Sequence, residues 1–391
     1  MAALVMDVTR LITRALAARL PTGIDRVGLE YVRHFGPQSQ AIVRLPGRWI
    51  LASRHDSARI YEALVDARQS APGQLIALVA RIAALCWQRP ASHSLLLNVL
   101  HSGFDAPGYT ARARRWALRP VYFLHDLIPI THPEYARPHV PRQHAQRVQA
   151  MLEAGKAIIV NSEHTRAELV RYAELLRTPL PPTAVAPLAP AELPRPSTEA
   201  PLPGPYFVTL GTLEARKNHL LLLQLWRELA ARQGKAAPRL VIIGQLGWES
   251  EQVADLLERC GAIRPLVIHK RQCNDGELAS WLAHARALLF PSFVEGFGLP
   301  LVEALKMGVP VVASDLPVFR EVAGSVPDFL SPIDGAGWLD AVTDYACDAS
   351  PRRHAQLQRM SGWRAPTWQA HFTAVQNLLE AQFPGWDHAA S

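Results

Sequence analysis

Short apolar runs rich in β-branched residues alternate with segments of helical periodicity along the second half of the chain. Between the runs, HLLLLQLWRELAARQG (219–234) and ESEQVADLLERCG (249–261) carry apolar residues at helical spacing. Strands that are apolar on both faces and are each followed by a helix predict a parallel, doubly wound sheet. The six runs are YFVTLGT (206–212), RLVIIGQ (239–245), PLVIHK (265–270), ALLFPS (287–292), VPVVASD (309–315) and DFLSPID (328–334).

The first half of the chain is less regular but uses the same pattern. The runs there are ALVMDV (3–8), SLLLNVL (94–100), PVYFLHD (120–126), AIIVNS (157–162) and the shorter TAVAPL (183–188). The predicted fold class is therefore α/β, with two Rossmann-like doubly wound domains facing across a cleft. Ligands of open α/β sheets bind at the carboxyl ends of the strands, so we expect the chemistry there.

A proline-rich stretch marks the predicted domain boundary. Pro179 to Pro205 contains ten prolines in 27 residues, which predicts a stiff, extended connector. We place an N-terminal domain at 1–190, the linker at 191–204 and a C-terminal domain at 205–365. The final segment, 366–391, is predicted to be helical.

Composition places the chain among ordinary globular proteins. Of 391 residues, 49% are hydrophobic and 19% are charged. The four cysteines (Cys86, Cys260, Cys273 and Cys347) form no CxxC pair, which favours a reducing compartment. The N-terminal segment is interrupted by charged residues, and no apolar stretch reaches the roughly 18 to 20 residues that span a bilayer. We expect a cytoplasmic protein.

Positive charge is concentrated in the first half. Residues 1–195 hold 24 Lys and Arg against 14 Asp and Glu, whereas residues 196–391 hold 17 against 20. This asymmetry predicts an anionic partner for the first half, such as a phospholipid surface, a pyrophosphate-linked lipid or an acidic sugar. The alternative is that arginine-rich composition reflects codon usage alone. Nucleic acid is not expected, because the basic residues are dispersed and not interleaved with aromatic residues.

Two basic segments are the candidates for this contact. RARRWALRP (112–120) places Arg112 and Arg115 among four arginines ahead of a predicted strand. TRLITRALAARL (9–20) places Arg10, Arg14 and Arg19 on a predicted amphipathic helix. Both suit an anionic lipid or an anionic membrane surface.

Two cations follow the first strand of the second domain. Arg216 and Lys217 come just after Gly211 and Thr212, where a helix is predicted to start. Two cations beside helix N-terminal amides make a good site for a diphosphate. The alternative is an exposed basic pair, which is common on protein surfaces.

Two glutamates bracket a glycine loop further along the second domain. Glu295 and Glu303 flank Gly296 and Gly298, and the glycines let the backbone approach a ligand closely. Glu303 is expected in the first turn of a helix, where its carboxylate can accept hydrogen bonds from two vicinal hydroxyls. The alternative for Glu303 is a favourable charge at a helix N-terminus, worth up to about 1 kcal/mol.

FPSFVEGFGLPLVEAL (290–305) together with GTLEARKN (211–218) resembles the donor-binding signature of family 4 retaining glycosyltransferases, which have the GT-B fold. HDLIPITHPEY (125–135), IVNSEHTRAEL (159–169) and DGELASWLAHARALLFPS (275–292) extend the similarity. PTGIDRV (21–27) resembles the glycine turn that opens the first helix of these enzymes. The resemblance covers most of the chain, and it implies that the C-terminal helix of 366–391 returns to the N-terminal domain.

The resemblance implies a role for each matching residue in binding a nucleotide sugar. Glu303 would bind the ribose hydroxyls, while Glu295 and the loop amides would hold the donor sugar. Arg216 and Lys217 would neutralise the diphosphate, and His125 would lie near the donor sugar as a catalytic residue. The remaining implied residues are Gly23, Gly211, Thr212, Gly296, Phe297, Gly298 and Leu299 at the donor, with Asp126, Asn161 and Ser162 at the acceptor or cleft. Arg112 and Arg115 are further acceptor or cleft candidates because of their charge, not through the resemblance.

Three features qualify these roles. Many relatives have an arginine directly after the glycine of the second-domain turn, and Thr212 stands there in this chain. VIHKRQC (267–273) replaces the apolar-glycine stretch that cradles the base in the family, which leaves the base open. Ser162 is also a candidate helix cap.

The predicted reaction transfers a hexose, with retention, to a hydroxyl of a glycan on a polyprenyl-pyrophosphate carrier during surface polysaccharide assembly. The sequence contains no D-x-D carboxylate pair, so we predict no metal and no other cofactor. Retention arises through a covalent carboxylate intermediate or through same-face substitution, and the resemblance favours the second. The alternative functions are a sugar-nucleotide epimerase of the same fold and a non-catalytic sugar-nucleotide-binding subunit. A dinucleotide dehydrogenase is disfavoured because GFGLPLVEA lacks the G-x-G-x-x-G spacing.

Overall fold

The computed structural model describes residues 3–17, 22–66, 72–85, 88–106 and 108–386. The chain forms two compact units. The first unit comprises Met1–Ile130, Pro138–Leu188 and Trp368–Ser391, and the second comprises Thr131–Arg137 and Ala189–Thr367.

The first unit is built on a sheet with the strand order β3-β2-β1-β4-β5-β6-β7. All neighbouring strands are parallel except β3, which pairs with β2 in antiparallel fashion. The described strands are β1 (Leu4–Asp7), β2 (Ser39–Leu45), β3 (Arg48–Leu51), β4 (Leu95–Asn98), β5 (Arg119–Leu124), β6 (Ala157–Val160) and β7 (Thr183–Val185).

Helices cover this sheet and complete its core. Val5, Leu96 and Ile158 of the sheet lie in one buried cluster with Val148 and Leu169 of the helices. β1, β4 and β6 are fully buried along their length, which is why these strands read as continuous apolar runs. The described helices are α1 (Thr9–Leu16), α2 (Gly23–Phe35), α3 (Arg54–Val65), α4 (Pro72–Leu85), α5 (Tyr109–Arg115), α6 (Ile128–Thr131), α7 (Val140–Ala154) and α8 (Glu163–Leu175).

The second unit contains an entirely parallel sheet with the order β10-β9-β8-β11-β12-β13. Trp226 and Trp338 are fully buried against it, and the Trp226 indole N–H donates to the Pro238 carbonyl at 2.7 Å. Its strands are β8 (Tyr206–Leu210), β9 (Arg239–Ile243), β10 (Val267–Lys270), β11 (Leu288–Phe290), β12 (Val311–Ser314) and β13 (Asp328–Leu330). Its described helices are α9 (His219–Gln233), α10 (Glu251–Arg259), α11 (Asp275–Ala283), α12 (Leu299–Lys306), α13 (Pro317–Ala323), α14 (Gly335–Ala346) and α15 (Pro351–Met360).

The predicted α/β class with two doubly wound, Rossmann-like sheets is confirmed. Each of the eleven runs read as a strand lies on one of the strands above. The last helix, α16 (Trp368–Gln382), belongs to the first unit, where the His371 Nε2 atom lies 3.0 Å from the Tyr31 hydroxyl. It begins at Trp368, later than the predicted start at 366, and residues 387–391 lie outside the described part.

One local expectation needs correction. Thr131–Arg137 groups with the second unit, although the sequence placed it in the first domain, and within that unit the Tyr135 ring stacks on Phe293 at 5.7 Å. The glycine turn at Gly23 opens α2, and the helix predicted within 9–20 precedes it as α1.

The proline-rich segment has no helix or strand after β7, and it packs along the second unit. The Ser197 backbone N–H donates to Ser280 Oγ at 2.9 Å, and His284 Nε2 lies 2.9 Å from the Ser197 carbonyl. Arg239 donates to the Pro203 carbonyl at 3.3 Å. The segment is therefore held by side chains of the second sheet's helices and strands.

No helix within the described ranges is long and apolar enough to cross a membrane. In the same part of the chain, no three His, Cys, Asp or Glu side chains are grouped as metal ligands would be. Cys260, Cys273 and Cys347 are free thiols, and Cys86 lies outside the described residues. The expected independence of metal stays a prediction.

Candidate active site

Three charged side chains of the second unit meet at the carboxyl ends of β8 and β11, namely Arg216, Lys217 and Glu295. Arg216 and Lys217 lie in a single 3₁₀ turn, Ala215–Lys217, that follows β8. Asn218 then takes a left-handed conformation with φ 56° and begins α9. Its side-chain amide donates to the Pro291 carbonyl at 3.2 Å and to the Pro332 carbonyl at 2.8 Å. Asn218 thereby ties the basic turn to the loop after β11.

Glu295 is the centre of this cluster. Lys217 Nζ and Ser292 Oγ both donate to its Oε1 atom, Ser292 at 2.7 Å. Arg216 Nη1 donates to the other oxygen, Oε2, at 2.9 Å. Glu295 and Lys217 are 7% and 8% exposed, so both charges are shielded from water. The Arg216 guanidinium also lies 3.4 Å from Glu214, so two cations balance two carboxylates.

The ion pairs control the ionisation of Glu295. Burial by itself would raise the pKa of this carboxyl, but Arg216, Lys217 and Ser292 outweigh burial and lower the pKa to about 2. Burial lowers the pKa of Lys217, while Glu295 opposes that change. Each partner therefore keeps the other charged at a site where water contributes little.

Two glycines let β8 and β9 end close together beneath Lys217. A Cβ atom on Gly244 would lie 1.9 Å from the Gly211 carbonyl oxygen, which no real contact allows. Gly211 itself has φ 135°, and the Lys217 side chain passes 3.4 Å from where its Cβ would be. Gly211 was predicted from the sequence, whereas Gly244 was missed.

The loop between Glu295 and α12 packs on a layer of aromatic rings. Gly298 has φ 100°, and a Cβ there would lie 2.6 Å from the Phe319 ring. Phe319 stacks on Phe290 at 5.1 Å, and Phe290 in turn faces Lys217 Nζ at 4.9 Å. Phe297 is buried, whereas Gly296 and Leu299 are half-buried. Gly298 therefore sets the height of the loop above the basic turn.

Glu303 lies one turn into α12, not in its first turn as expected. Gly298 is the N-cap and Pro300 occupies the first turn, which moves Glu303 to the fifth helical position. The side chain is 7% exposed. Because the helix dipole acts within the first turn, a simple dipole role explains Glu303 poorly.

His125 follows β5 in the first unit, and its ring is 4% exposed. Its Nε2 atom lies 2.8 Å from the Val99 carbonyl. Since a carbonyl only accepts, this nitrogen carries the proton. Burial lowers the pKa of His125 to about 4, although the Val99 carbonyl opposes that change. His125 is therefore neutral at neutral pH.

The neighbours of His125 act on the backbone. Asn161, 2% exposed, donates from Nδ2 to the His125 carbonyl at 2.8 Å. Asp126 accepts from the Ile128 backbone N–H at 3.1 Å and so starts α6. Ser162 accepts from the Thr165 backbone N–H at 3.0 Å, which is the geometry of a helix cap for α8.

Arg10 and Arg14, the first two arginines of the helix that was predicted to contact lipid, form ion pairs inside the first unit. Arg10 and Arg14 form ion pairs with Asp25 at 2.8 and 2.7 Å, and Asp25 is 1% exposed. Asp25 also accepts from the Thr22 backbone N–H at 2.8 Å, just before the exposed Gly23. Arg10 and Arg14 therefore stabilise the start of α2 and do not form a free basic face. Arg19 lies outside the described residues.

α5 presents the other basic segment. Arg114 and Arg115 are exposed, and Arg112 is half-buried and donates to the Gly47 carbonyl at 3.4 Å. The three arginines occupy the last turn of the helix, where cations are favourable. This surface stays a candidate for an anionic partner.

Comparison with known proteins decides the family. The family described as "Glycosyl transferases group 1" matches residues 192–326, which include the whole Glu295 cluster. The O-antigen chain mannosyltransferase B of Escherichia coli is 32% identical over 273 residues, 67% of this chain and 70% of that protein. The chain belongs to the group 1 glycosyl transferases.

Further comparisons agree with this family. The serotype-specific mannosyltransferase WbdA of Escherichia coli is 31% identical over 230 residues, which are 52% of this chain and 26% of WbdA. The chain thus matches about a quarter of that longer protein. Anabaena HepE in complex with UDP superposes with a TM-score of 0.62 at 14% identity, over 97% of this chain and 99% of HepE. That likeness shows the GT-B fold.

The resemblance to family 4 retaining glycosyltransferases is confirmed, and the protein is a retaining glycosyltransferase. The roles of the individual site residues, including the paired glutamates, stay predictions. The structure brings Arg216, Lys217 and Glu295 into direct contact. His125, Asp126 and Asn161 form a second contact group in the first unit.

Besides Gly244, three residues in or next to the Glu295 cluster had no role assigned from the sequence. Ser292 and Asn218 were quoted within the family pattern, and their positions at a strand end and before a helix were the available signals. His219 gave no signal. It is 1% exposed, and neither ring nitrogen has a hydrogen-bond partner among the described residues. Burial, and next Lys217, lower the pKa of His219 to about 3.

Proposed function

We propose that this glycosyltransferase moves a mannose-type hexose from a nucleoside-diphosphate sugar to a hydroxyl of a glycan acceptor in surface polysaccharide assembly. One observation carries the proposal: Arg216 and Lys217 converge on Glu295 at the strand ends of the second unit. Both relatives described above are named mannosyltransferases, which supports the sugar, and the name of the first refers to O-antigen chains, which supports the pathway class.

The leaving nucleoside diphosphate gains negative charge as the glycosidic bond breaks. Lys217 has three N–H groups, and the described residues supply one hydrogen-bond acceptor to it, Glu295. Two N–H groups are thus available for phosphate oxygens. Fixed donors in a water-poor site stabilise developing charge without reorganising, which is the main catalytic device we propose.

Glu295 has limited room for a sugar hydroxyl. Its Oε1 atom accepts from both Lys217 and Ser292, which fills the usual two acceptor positions. Its Oε2 atom accepts from Arg216. We propose that one hexose hydroxyl donates to the second position of Oε2, and that Glu303 binds the ribose hydroxyls.

The substitution on the same face of the sugar needs no carboxylate nucleophile and no metal. The leaving phosphate would assist removal of the acceptor proton. His125 is neutral, and its Nε2–H donates to the Val99 carbonyl. The other ring nitrogen, Nδ1, therefore suits a polarising or orienting role. A general base that becomes protonated is disfavoured by the burial of the ring.

The acceptor is proposed to be a glycan on a polyprenyl-pyrophosphate carrier at the cytoplasmic face of a membrane. Because Arg10 and Arg14 are paired with Asp25, the proposal relies on α5, with its exposed Arg114 and Arg115. Charge attraction of this kind weakens as ionic strength rises.

The test is calorimetric binding of GDP, UDP, ADP, dTDP and CMP and of GDP-mannose and UDP-glucose without metal, followed by transfer assays. Expected results are binding of one diphosphate, loss of that binding in Glu303→Ala, and retention of it in Glu228→Ala. Glu228 is an exposed glutamate of α9 and serves as the matched control.

Transfer to a lipid-linked glycan must then follow with that donor. Conversion of the sugar nucleotide in the absence of any acceptor would identify an epimerase instead. Donor binding without turnover on any lipid extract would indicate a non-catalytic subunit. No binding of any nucleotide would refute the donor-site assignment.

A further inference from the structure

Three side chains from three different elements hold the backbone of His125 and Asp126. The His125 N–H donates to His101 Nε2 at 3.2 Å. The His125 carbonyl accepts from Asn161 Nδ2 at 2.8 Å, and the Asp126 carbonyl lies 3.0 Å from His144 Nε2. All three side chains are at least nine-tenths buried.

The turn after β4 contacts the His125 ring as well as its backbone. This turn forms two hydrogen bonds with His125. The Val99 carbonyl accepts from the His125 Nε2–H, and His101 Nε2 accepts from the His125 backbone N–H. Asn98 shapes that turn, because its Oδ1 atom accepts from the Leu100 N–H at 3.4 Å and its Nδ2 donates to the Ser102 carbonyl at 3.0 Å.

The hydrogen-bond partners define the tautomers of the three rings. A backbone N–H only donates, so His101 Nε2 carries no proton. A carbonyl only accepts, so His125 Nε2 and His144 Nε2 each carry one. The rings of His101 and His125 are 4.9 Å apart, and those of His101 and His144 are 5.5 Å apart. Two charged imidazoles at these distances would repel each other, and a proton on His101 Nε2 would face the His125 N–H.

The surroundings keep the rings neutral. Burial is the main cause that lowers the pKa of His101, and His125, His144, Arg147 and Arg10 are the positive or protonatable groups that add to it. Burial likewise lowers the pKa of His144. His101 takes a left-handed conformation with φ 53°, which holds its ring in this position at a backbone geometry that few side chains adopt.

We infer that His101, Asn161 and His144 form a clamp that positions His125 for sugar transfer, with His101 as the positioning residue whose unprotonated Nε2 holds the His125 N–H. The inference rests on the proposed role of His125 in transfer. His101 does not touch the reacting atoms in this assignment. Its contribution is the placement of the His125 ring, and a misplacement of about 1 Å can cost about a hundredfold in rate.

The first test is a spectroscopic measurement on the wild-type protein. Histidine-selective ¹⁵N labelling, with assignment by single substitutions, reports which ring nitrogen carries the proton. We expect a protonated Nδ1 for His101 and a protonated Nε2 for His125 at pH 7. A protonated Nε2 on His101 would overturn the clamp. This result does not depend on any activity of the enzyme.

The second test compares two substitutions at the same position. His101→Leu removes the acceptor, whereas His101→Gln places a side-chain amide oxygen near the position of the lost Nε2 atom, and both variants meet the same cost of the left-handed conformation. We expect kcat to fall about 10- to 100-fold in His101→Leu and to recover at least partly in His101→Gln. The dissociation constant of the nucleoside diphosphate, measured on the same samples, is expected to stay unchanged.

A matched control is available at His93. It also has a positive φ, 66°, but its side chain is exposed. His93→Leu and His93→Gln should leave kcat unchanged. Equal kcat in His101→Leu and wild type, or an equal fall in His101→Leu and His101→Gln, would overturn the inference. Absence of transfer by the wild type with every donor would instead refute the proposed function, while the ring tautomers would still test the clamp.

Discussion

Lys217→Met tests the buried ion pair between Lys217 and Glu295 most directly. Methionine has a similar length and volume but carries no charge, so Glu295 keeps Arg216 and Ser292 and loses one cation. Glu295 is 7% exposed, and its carboxylate therefore depends on these partners instead of water. We expect a less stable second unit and a raised pKa of Glu295.

The pKa of Glu295 gives the size of the effect. A pKa of about 2 against an ordinary 4.5 corresponds to about 3 kcal/mol of stabilisation of the ionised form in the folded state. Lys217, Arg216 and Ser292 together provide this stabilisation. Removal of the Lys217 charge should therefore lower the free energy of unfolding by about 2 kcal/mol at pH 7. Breaking a buried pair from one side leaves an under-compensated charge, which acts in the same direction.

The sign of the pH dependence follows from the lowered pKa. A carboxyl whose folded pKa lies below its unfolded value stabilises the protein above the unfolded value, and this stabilisation is lost as the pH falls through the folded value. For Glu295 the window runs from about pH 4.5 down to about 2. From pH 7 to pH 4, protonation of Glu295 should lower the free energy of unfolding of the wild type by about 1 kcal/mol. The decrease should be smaller in Lys217→Met.

The assay is a double-mutant cycle of Lys217→Met and Glu295→Gln, with urea unfolding measured at pH 7 and pH 4. The transition that Glu295→Gln shifts identifies the second unit. We expect a coupling energy of about 2 kcal/mol at pH 7 that shrinks at pH 4. Lys235→Met, at an exposed lysine of the same unit, is the control. Additive free energies with no dependence on pH would refute the reasoning.

Three further substitutions probe the same loops. Gly298→Ala should lower the melting temperature and abolish donor binding, because the new Cβ would lie 2.6 Å from Phe319 at φ 100°; calorimetry checks both, and unchanged binding would contradict the loop assignment. Gly244→Ala should do the same through its 1.9 Å clash with the Gly211 carbonyl, and a crystal structure of the variant would show whether the basic turn moves. Glu295→Gln removes one negative charge beside the phosphates and should tighten binding of the free nucleoside diphosphate about tenfold while transfer falls. Weaker binding would instead mean that the carboxylate is needed to keep the cations in place.

The sheets were predictable because their strands are buried on both faces. β8, for example, is buried at all five positions, and a short continuous apolar run of this kind is typical of a strand in a parallel sheet. β2 and β3 were missed for the opposite reason. They form a hairpin with exposed or half-buried positions such as Arg44 and Arg48, and this mixed pattern is not distinct from a loop.

The site was predictable in part. Glycines and charges after strands identified Gly298, Glu295 and Lys217, because a loop that approaches a ligand needs both. The sequence could not show that Lys217 and Glu295 contact each other, since 77 residues separate them in the chain. That contact depends on the order of the strands, in which β8 and β11 are neighbours.

The contact between Lys217 and Glu295 changes what the two residues are expected to do. The sequence assigned the cations to the diphosphate and the carboxylate to the sugar as separate tasks. In the structure the Glu295 carboxylate already accepts hydrogen bonds from both cations before any donor binds. It also keeps Lys217 charged at a position where burial favours the neutral amine. In the proposed assignment the donor meets a site whose charges are already balanced, so it binds through unused hydrogen-bond positions more than through excess positive charge. The remaining N–H groups of Lys217 would then stabilise the charge that develops on the departing diphosphate, and stabilisation that grows toward the transition state accelerates transfer.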